Sequence, residues 1–170
     1  MEIVINDTNI LIDLVNAGIL PYCKQLNLEF RTLDVIINEI EVVEQRNAIQ
    51  SIIDEGTLTV YSLSGEQIEK VFQKVSLYEG VCNLSPEDIS VMVYAIDYNC
   101  RLLTGDKTLR DKASMEGVHV SGILFITDML IEKSIVSKDE MITILNRLLE
   151  SNNRLPIKYI QERIDNLQRP

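Results

Sequence analysis

"RLLTGDKTLRDKASMEGVHVSG", residues 101–122, decides how the rest of the chain is read. RLLT (101–104) is a short apolar run of strand type. Gly105 and Asp106 punctuate it, and a helical pattern then runs through Met115. A glycine follows, VHV (118–120) reads as another short strand, and Gly122 closes the stretch. A strand, a helix and a second strand in so few residues form the kind of crossover that builds a parallel sheet.

The same alternation continues outward. EIVIN (2–6) reads as a strand and TNILIDLVNAG as a helix ending near Gly18, with a second helix starting near Pro21. LDVIINEIEVVEQ (33–45) places Leu33, Ile36, Ile37 and Ile40 at helical spacing and reads as one helix. TLTVYSL (57–63), after Gly56, is β-rich and reads as the second strand of the chain. Ser64 and Gly80 bracket another helix. LSPEDISVMVYAIDYNC (84–100) carries the strongest helix signal, with Ser85 as N-cap, Pro86 in the first turn and acids at Glu87 and Asp88. Three helical stretches follow at 122–133, 138–151 and 156–167. The pattern predicts an α/β fold, a three-layer α/β/α sandwich with a mostly parallel central sheet. Residues 1–170 are expected to form one domain, with 123–170 a helical C-terminal extension packed on it. The middle segment, 45–83, matches no motif.

Bulk properties narrow the chemistry. Apolar residues make up 46% of the 170 and charged residues 25%, which is globular rather than disordered composition. No apolar run reaches the ~18 residues of a membrane span, and no basic leader precedes an apolar stretch, so a soluble cytoplasmic protein without membrane partners is expected. Cys23, Cys82 and Cys100 are odd in number and form no C-x-x-C pair, against a disulfide framework and against structural zinc. His119 is the only histidine, which disfavours Ser-His-Asp and Cys-His catalysis. The net charge of −10 speaks against nucleic acid only until its distribution is considered. Residues 1–100 hold 5 Lys/Arg against 16 Asp/Glu, whereas residues 101–170 hold 11 against 10.

Four carboxylates stand out. Asp7 and Asp106 each follow a strand, where parallel sheets form their sites. Asp88 lies in the first turn of the capped helix, and Glu39 sits between Ile36 and Val43 beside an apolar stripe, where an unpaired charge is costly. Each acid also has a plain structural reading as a helix cap, a dipole partner or a solvated edge. Jointly they would repel one another unless a cation lay among them. Oxygen ligands without His or Cys suit Mg²⁺ or Mn²⁺, and those ions best support phosphoryl transfer to water.

The motifs INDTNILIDL, VIINEI (35–40), LSPEDISVMVYA (84–95) and the 101–122 stretch, in that order, resemble the PIN-domain family of metal-dependent ribonucleases, of VapC-like toxin type. The C-terminal helices resemble a subgroup with an extra helical pair. The resemblance implies a catalytic set of Asp7, Glu39, Asp88 and Asp106, with Asp7, Asp88 and Asp106 holding the metal. Asn9 and Thr104 would orient ligands from behind. Asp111 is a candidate fifth acid, although a solvated helix position suits it better, and Glu87 competes with Asp88. Lys107, Arg110 and Lys112 are candidate phosphate contacts, weighed against solvated helix charges with Arg110 salt-bridged locally. Single-stranded RNA is the implied substrate, and an antitoxin protein and a second copy of the chain are the implied partners. Two other readings compete: a non-catalytic PIN-like module that binds a protein or RNA, and a phosphatase- or receiver-type domain with an aspartyl nucleophile. The last would not need Glu39.

Overall fold

Five strands, all paired in parallel, form one sheet in the order β3-β2-β1-β4-β5 in the computed structural model, which describes residues 1–151 and 155–169. The strands are β1 (Glu2–Asn6), β2 (Leu28–Leu33), β3 (Leu58–Tyr61), β4 (Arg101–Leu103) and β5 (Val120–Ser121). The chain runs outward from the centre through β1, β2 and β3. It then returns across the sheet to lay β4 and β5 on the other side of β1.

Helices α1 (Thr8–Asn16), α2 (Leu20–Cys23), α3 (Asp34–Asn38) and α4 (Val43–Asp54) connect the first three strands. Helices α5 (Gly65–Tyr78) and α6 (Pro86–Asp97) bring the chain back, and α7 (Lys107–Met115) joins β4 to β5. Parallel crossovers share one hand, so reversing the direction of travel moves the helices to the opposite face. Accordingly α1 packs with α4, whereas α5, α6 and α7 pack together. Helix α6 lies against β1, β2 and β4 and is buried from Ile89 through Ala95, as a helix between a sheet and a second helix must be. Helices α8 (Ile123–Glu132) and α9 (Lys138–Ser151) pack on α1, and α10 (Ile157–Gln168) packs on α9. Leu130, Leu145 and Ile160 of these helices belong to the same apolar core as Val4, Leu102 and Leu103 of the sheet. Residues 152–154 and 170 of the expected 123–170 extension lie outside the described residues. Among the described residues, no helix is long and apolar enough to cross a membrane.

The fold corrects the expectations at three places. LEFRTL (28–33), whose apolar and polar residues alternate from Leu28 to Arg31, is β2, so TLTVYSL holds the third strand rather than the second. Its charged members are satisfied by neighbours: Arg31 bonds Glu29, donates 3.0 Å to the Tyr94 hydroxyl, and lies 4.9 Å over the Tyr61 ring. The single helix expected over 33–45 is split. Leu33 still belongs to β2, α3 ends at Asn38, and after an interruption α4 begins at Val43. The final short strand begins at Val120 rather than 118, although the His119 carbonyl already accepts from the Leu102 N–H at 2.9 Å.

Leu103 is fully buried in β4, while Val43 at the start of α4 is 64% exposed. Leu103→Ala is expected to cost about 2–5 kcal/mol in urea unfolding, and Val43→Ala less than about 0.5 kcal/mol. Equal costs would contradict the placement of β4 inside the sheet.

Candidate functional site

The site grows from the register of β1 on β4. Asn6 pairs with Leu103, so the next residues, Asp7 and Thr104, leave the sheet side by side. The Asp7 N–H extends the ladder to the Leu103 carbonyl at 3.0 Å. This is also where the strand order reverses, since β1 connects outward to β2 while β4 lies on its other side. Parallel sheets bind their ligands in the crevice at that point.

Asp7 is only 2% exposed. Its Oδ1 accepts from the Thr8 N–H at 2.7 Å at the start of α1, and its Oδ2 accepts from the Thr104 hydroxyl at 2.8 Å. The Thr104 oxygen in turn accepts from the Asp106 N–H at 3.0 Å. Asp106 caps α7, its Oδ1 accepting from the Leu109 N–H at 2.7 Å. One buried hydroxyl thus couples the two strand-end acids.

The other two acids arrive from helix ends. Asp88 stands at the third position of α6 in a reciprocal box: its Oδ2 accepts from the Ser85 N–H at 2.8 Å, and the Ser85 hydroxyl accepts from the Asp88 N–H at 3.1 Å. Glu39 does not continue a helix beside an apolar stripe, as its spacing suggested. It is exposed at the C-terminus of α3, where its carboxylate accepts from the Thr8 hydroxyl. Thr8, in sequence only the start of the helix after Asp7, gains a role in the site that its position beside Asp7 signals. Asn9 is half-buried in the first turn of α1.

The electrostatics connect all four groups. Burial raises the Asp7 pKa from 3.8 to about 6; the Thr104 and Thr8 hydrogen bonds oppose the shift, and the charges of Asp88 and Glu39 add to it. Asp88 is likewise raised by burial, against its bonds to Ser85, with Asp106 and Glu87 contributing like charge. Neither acid has a cation among the causes of its shift. Such an all-oxygen, like-charged set fits a hard divalent cation. Among the described residues, no group of three or more His, Cys, Asp and Glu side chains is placed to hold a metal ion by itself. An ion here would keep part of its shell as water, which Mg²⁺ ordinarily does.

The basic candidates separate. Lys107 is exposed beside Asp106. Among the described residues Arg110 joins no salt bridge; its Nη2 donates to the Thr104 carbonyl at 2.9 Å. Lys112 turns toward α5, 5.4 Å over the Tyr78 ring. Asp111 is exposed on α7, and Glu87 is half-buried next to Asp88.

A family model described as a PIN domain matches residues 3–169. The endoribonuclease Nob1 of Methanocaldococcus jannaschii is 31% identical over 97 residues, which make up 57% of this chain and 47% of that protein. The chain therefore spans about half the length of that curated relative. Among solved structures, VapBC2 of Rickettsia felis, bound to a DNA fragment from its promoter, is similar with a TM-score of 0.51 at 14% identity, over 71% of this chain and 98% of that one. A PilT N-terminus domain protein of Sulfolobus solfataricus gives 0.48 at 19% identity, over 71% and 87%. Likeness at these identities concerns the fold.

A raised carboxyl pKa means that the folded protein holds the proton more tightly than the unfolded chain. Asp7 therefore favours folding fully below its unfolded value of 3.8, and this contribution is lost as the pH rises through about 6. At higher pH the retained charge opposes folding by about 3 kcal/mol at most. Asp7→Asn keeps an acceptor for the Thr8 N–H, so it is expected to stabilise the metal-free protein at about pH 8 and to have little effect near pH 4. Urea titrations in EDTA at the two pH values measure this, and a pH-independent difference would contradict it.

Proposed function

Because the chain belongs to the PIN-domain family, we propose that it is a Mg²⁺- or Mn²⁺-dependent endoribonuclease that hydrolyses phosphodiester bonds of single-stranded RNA. The observation that carries this reading is a buried Asp7 at the reversal of strand order, its carboxyl raised first by burial and further by the charges of Asp88 and Glu39, while Asp106 adds like charge to Asp88. The likeness to an endoribonuclease over part of the chain supports the same class of reaction.

Asp7, Asp88 and Asp106 would hold the ion, with Glu39 completing the acidic set. A bound divalent cation supplies a nucleophile at neutral pH, by lowering the pKa of water, and stabilises charge on the phosphate oxygens. The chain's own residues supply orientation. The Thr104 hydroxyl fixes one oxygen of Asp7 and the backbone of Asp106, Thr8 holds Glu39, and Ser85 holds Asp88. Asn9 is a further candidate for orienting the ligands. Lys107 and Arg110 provide positive charge beside Asp106 for flanking phosphates, while Lys112 is better explained by Tyr78. Residues 1–170 would act as one domain in the cytoplasm, as a homodimer and as the toxin partner of an antitoxin protein.

One observation favours a second reading. Asp7, Asp88 and Asp106 each already satisfy a backbone N–H at a helix start, so the acids are also intelligible as structure alone. A non-catalytic module binding a protein or RNA would need no more.

A labelled RNA pool incubated with Mn²⁺ or Mg²⁺, with EDTA as control, separates the two. Metal-dependent cutting is expected from the wild type. Asp7→Asn and Asp106→Asn, which keep cap acceptors, are expected to lose about a hundred-fold or more, since even residues behind the ligands cost 10–100-fold. The metal should also raise the melting temperature of the wild type but not of these variants. Equal behaviour of the folded variants and the wild type would leave the binding-module reading.

A further inference from the structure

A cleft of about 420 Å³ opens between α1, α7 and the start of α10. Ile10 of α1, Lys107 and Arg110 of α7, Gly122 ahead of α8, and Leu155 and Tyr159 near and in α10 border it. The four acids do not line it, but two of its lining residues are their chain neighbours: Lys107 follows Asp106, and Ile10 lies one helical turn beyond Asp7.

Three features of this cleft are unexplained by packing. Tyr159 keeps 55% of its surface exposed on the cleft wall. Lys107 is exposed and joins no ion pair among the described residues. The Arg110 guanidinium donates through Nη2 to the Thr104 carbonyl and retains further N–H groups. Arg110 passes close to Gly122 where it reaches that carbonyl. A Cβ on Gly122 would stand 3.2 Å from Arg110 Nη2 and 3.7 Å from the Thr104 oxygen.

We infer that the cleft takes one unstacked nucleotide of the RNA, with its base against the Tyr159 ring and its phosphate against Lys107 and Arg110. The inference deepens the ribonuclease reading and takes its substrate class from it. Apolar walls beside two cations match a flat base joined to an anion, and the volume falls within the range of small-molecule sites. An aromatic ring accepts the face of any base, so the cleft selects little by sequence. It selects by strandedness instead, because bases inside a duplex are already stacked and cannot be splayed onto a side chain. Single-stranded RNA would be held next to the acids by a nucleotide that is not the one being cut.

Fluorescence polarisation of a 5′-fluorescein single-stranded RNA, in EDTA at low salt, tests this without cleavage. Tyr159→Ala, which leaves the charge unchanged, is expected to weaken binding about ten-fold, whereas Tyr159→Phe stays within about two-fold. Lys107→Gln is expected to weaken binding and to reduce the dependence of log Kd on log salt by roughly 0.7. A duplex of the same sequence should not distinguish Tyr159→Ala from the wild type. Equal single-strand affinity for a folded Tyr159→Ala protein would overturn the inference, and so would an equal loss on duplex. The two readings fail separately: Tyr159-dependent binding by a protein that cuts nothing keeps the cleft and removes the nuclease. Cutting that depends on Asp7 and Asp106 without a Tyr159 effect does the reverse.

Discussion

The Asp7 carboxylate is fixed where it is least comfortable as an ion. Its backbone N–H still belongs to the sheet, bonded to Leu103, so the side chain cannot withdraw to solvent without breaking the ladder. Thr8 and Thr104 each satisfy one of its oxygens. Those two bonds do not offset burial together with two nearby acids, and the group titrates near pH 6. The start of α1, the path from β4 into α7 and the position of Glu39 are all tied to this carboxylate or to its two threonine partners.

Fold and site therefore share atoms. Asp7 and Asp106 cap the helices that leave the two central strands, and Asp88 completes the box that starts α6. A carboxylate at a helix start gains from the orphan N–H groups and the positive end of the dipole. The same geometry brings three helix N-termini toward the reversal of strand order, a favourable place to gather negative charge. Alanine at these positions would remove cap and charge together, whereas Asn removes the charge and keeps the cap.

The uneven charge along the chain follows this division of labour. The first hundred residues supply Asp7, Glu39 and Asp88 and carry all of the acidic excess. The last seventy supply Lys107 and Arg110, next to Asp106, and also Tyr159. A net charge of −10 therefore coexists with cations bordering the one edge of the site where an RNA phosphate would lie.

The sequence by itself determined the features that depend on residues a few positions apart. Ser85, Pro86 and Asp88 announce α6 because a capping box is complete within four residues, and RLLTGD announces β4 and the turn into α7 by its own pattern. That Asp7 and Asp106 lie just past strands was legible for the same reason. Tertiary structure alone decided the rest. LEFRTL alternates locally as a strand does, but its place between β1 and β3 and the accommodation of Arg31 by Tyr61 and Tyr94, partners 30 and 63 residues further along the chain, come from the fold. Glu39 meets Thr8 across 31 residues, at a turn that helical spacing hid. Which acids become neighbours follows from the order β3-β2-β1-β4-β5. That order is set by burying both faces of the sheet at once, and no local pattern encodes it.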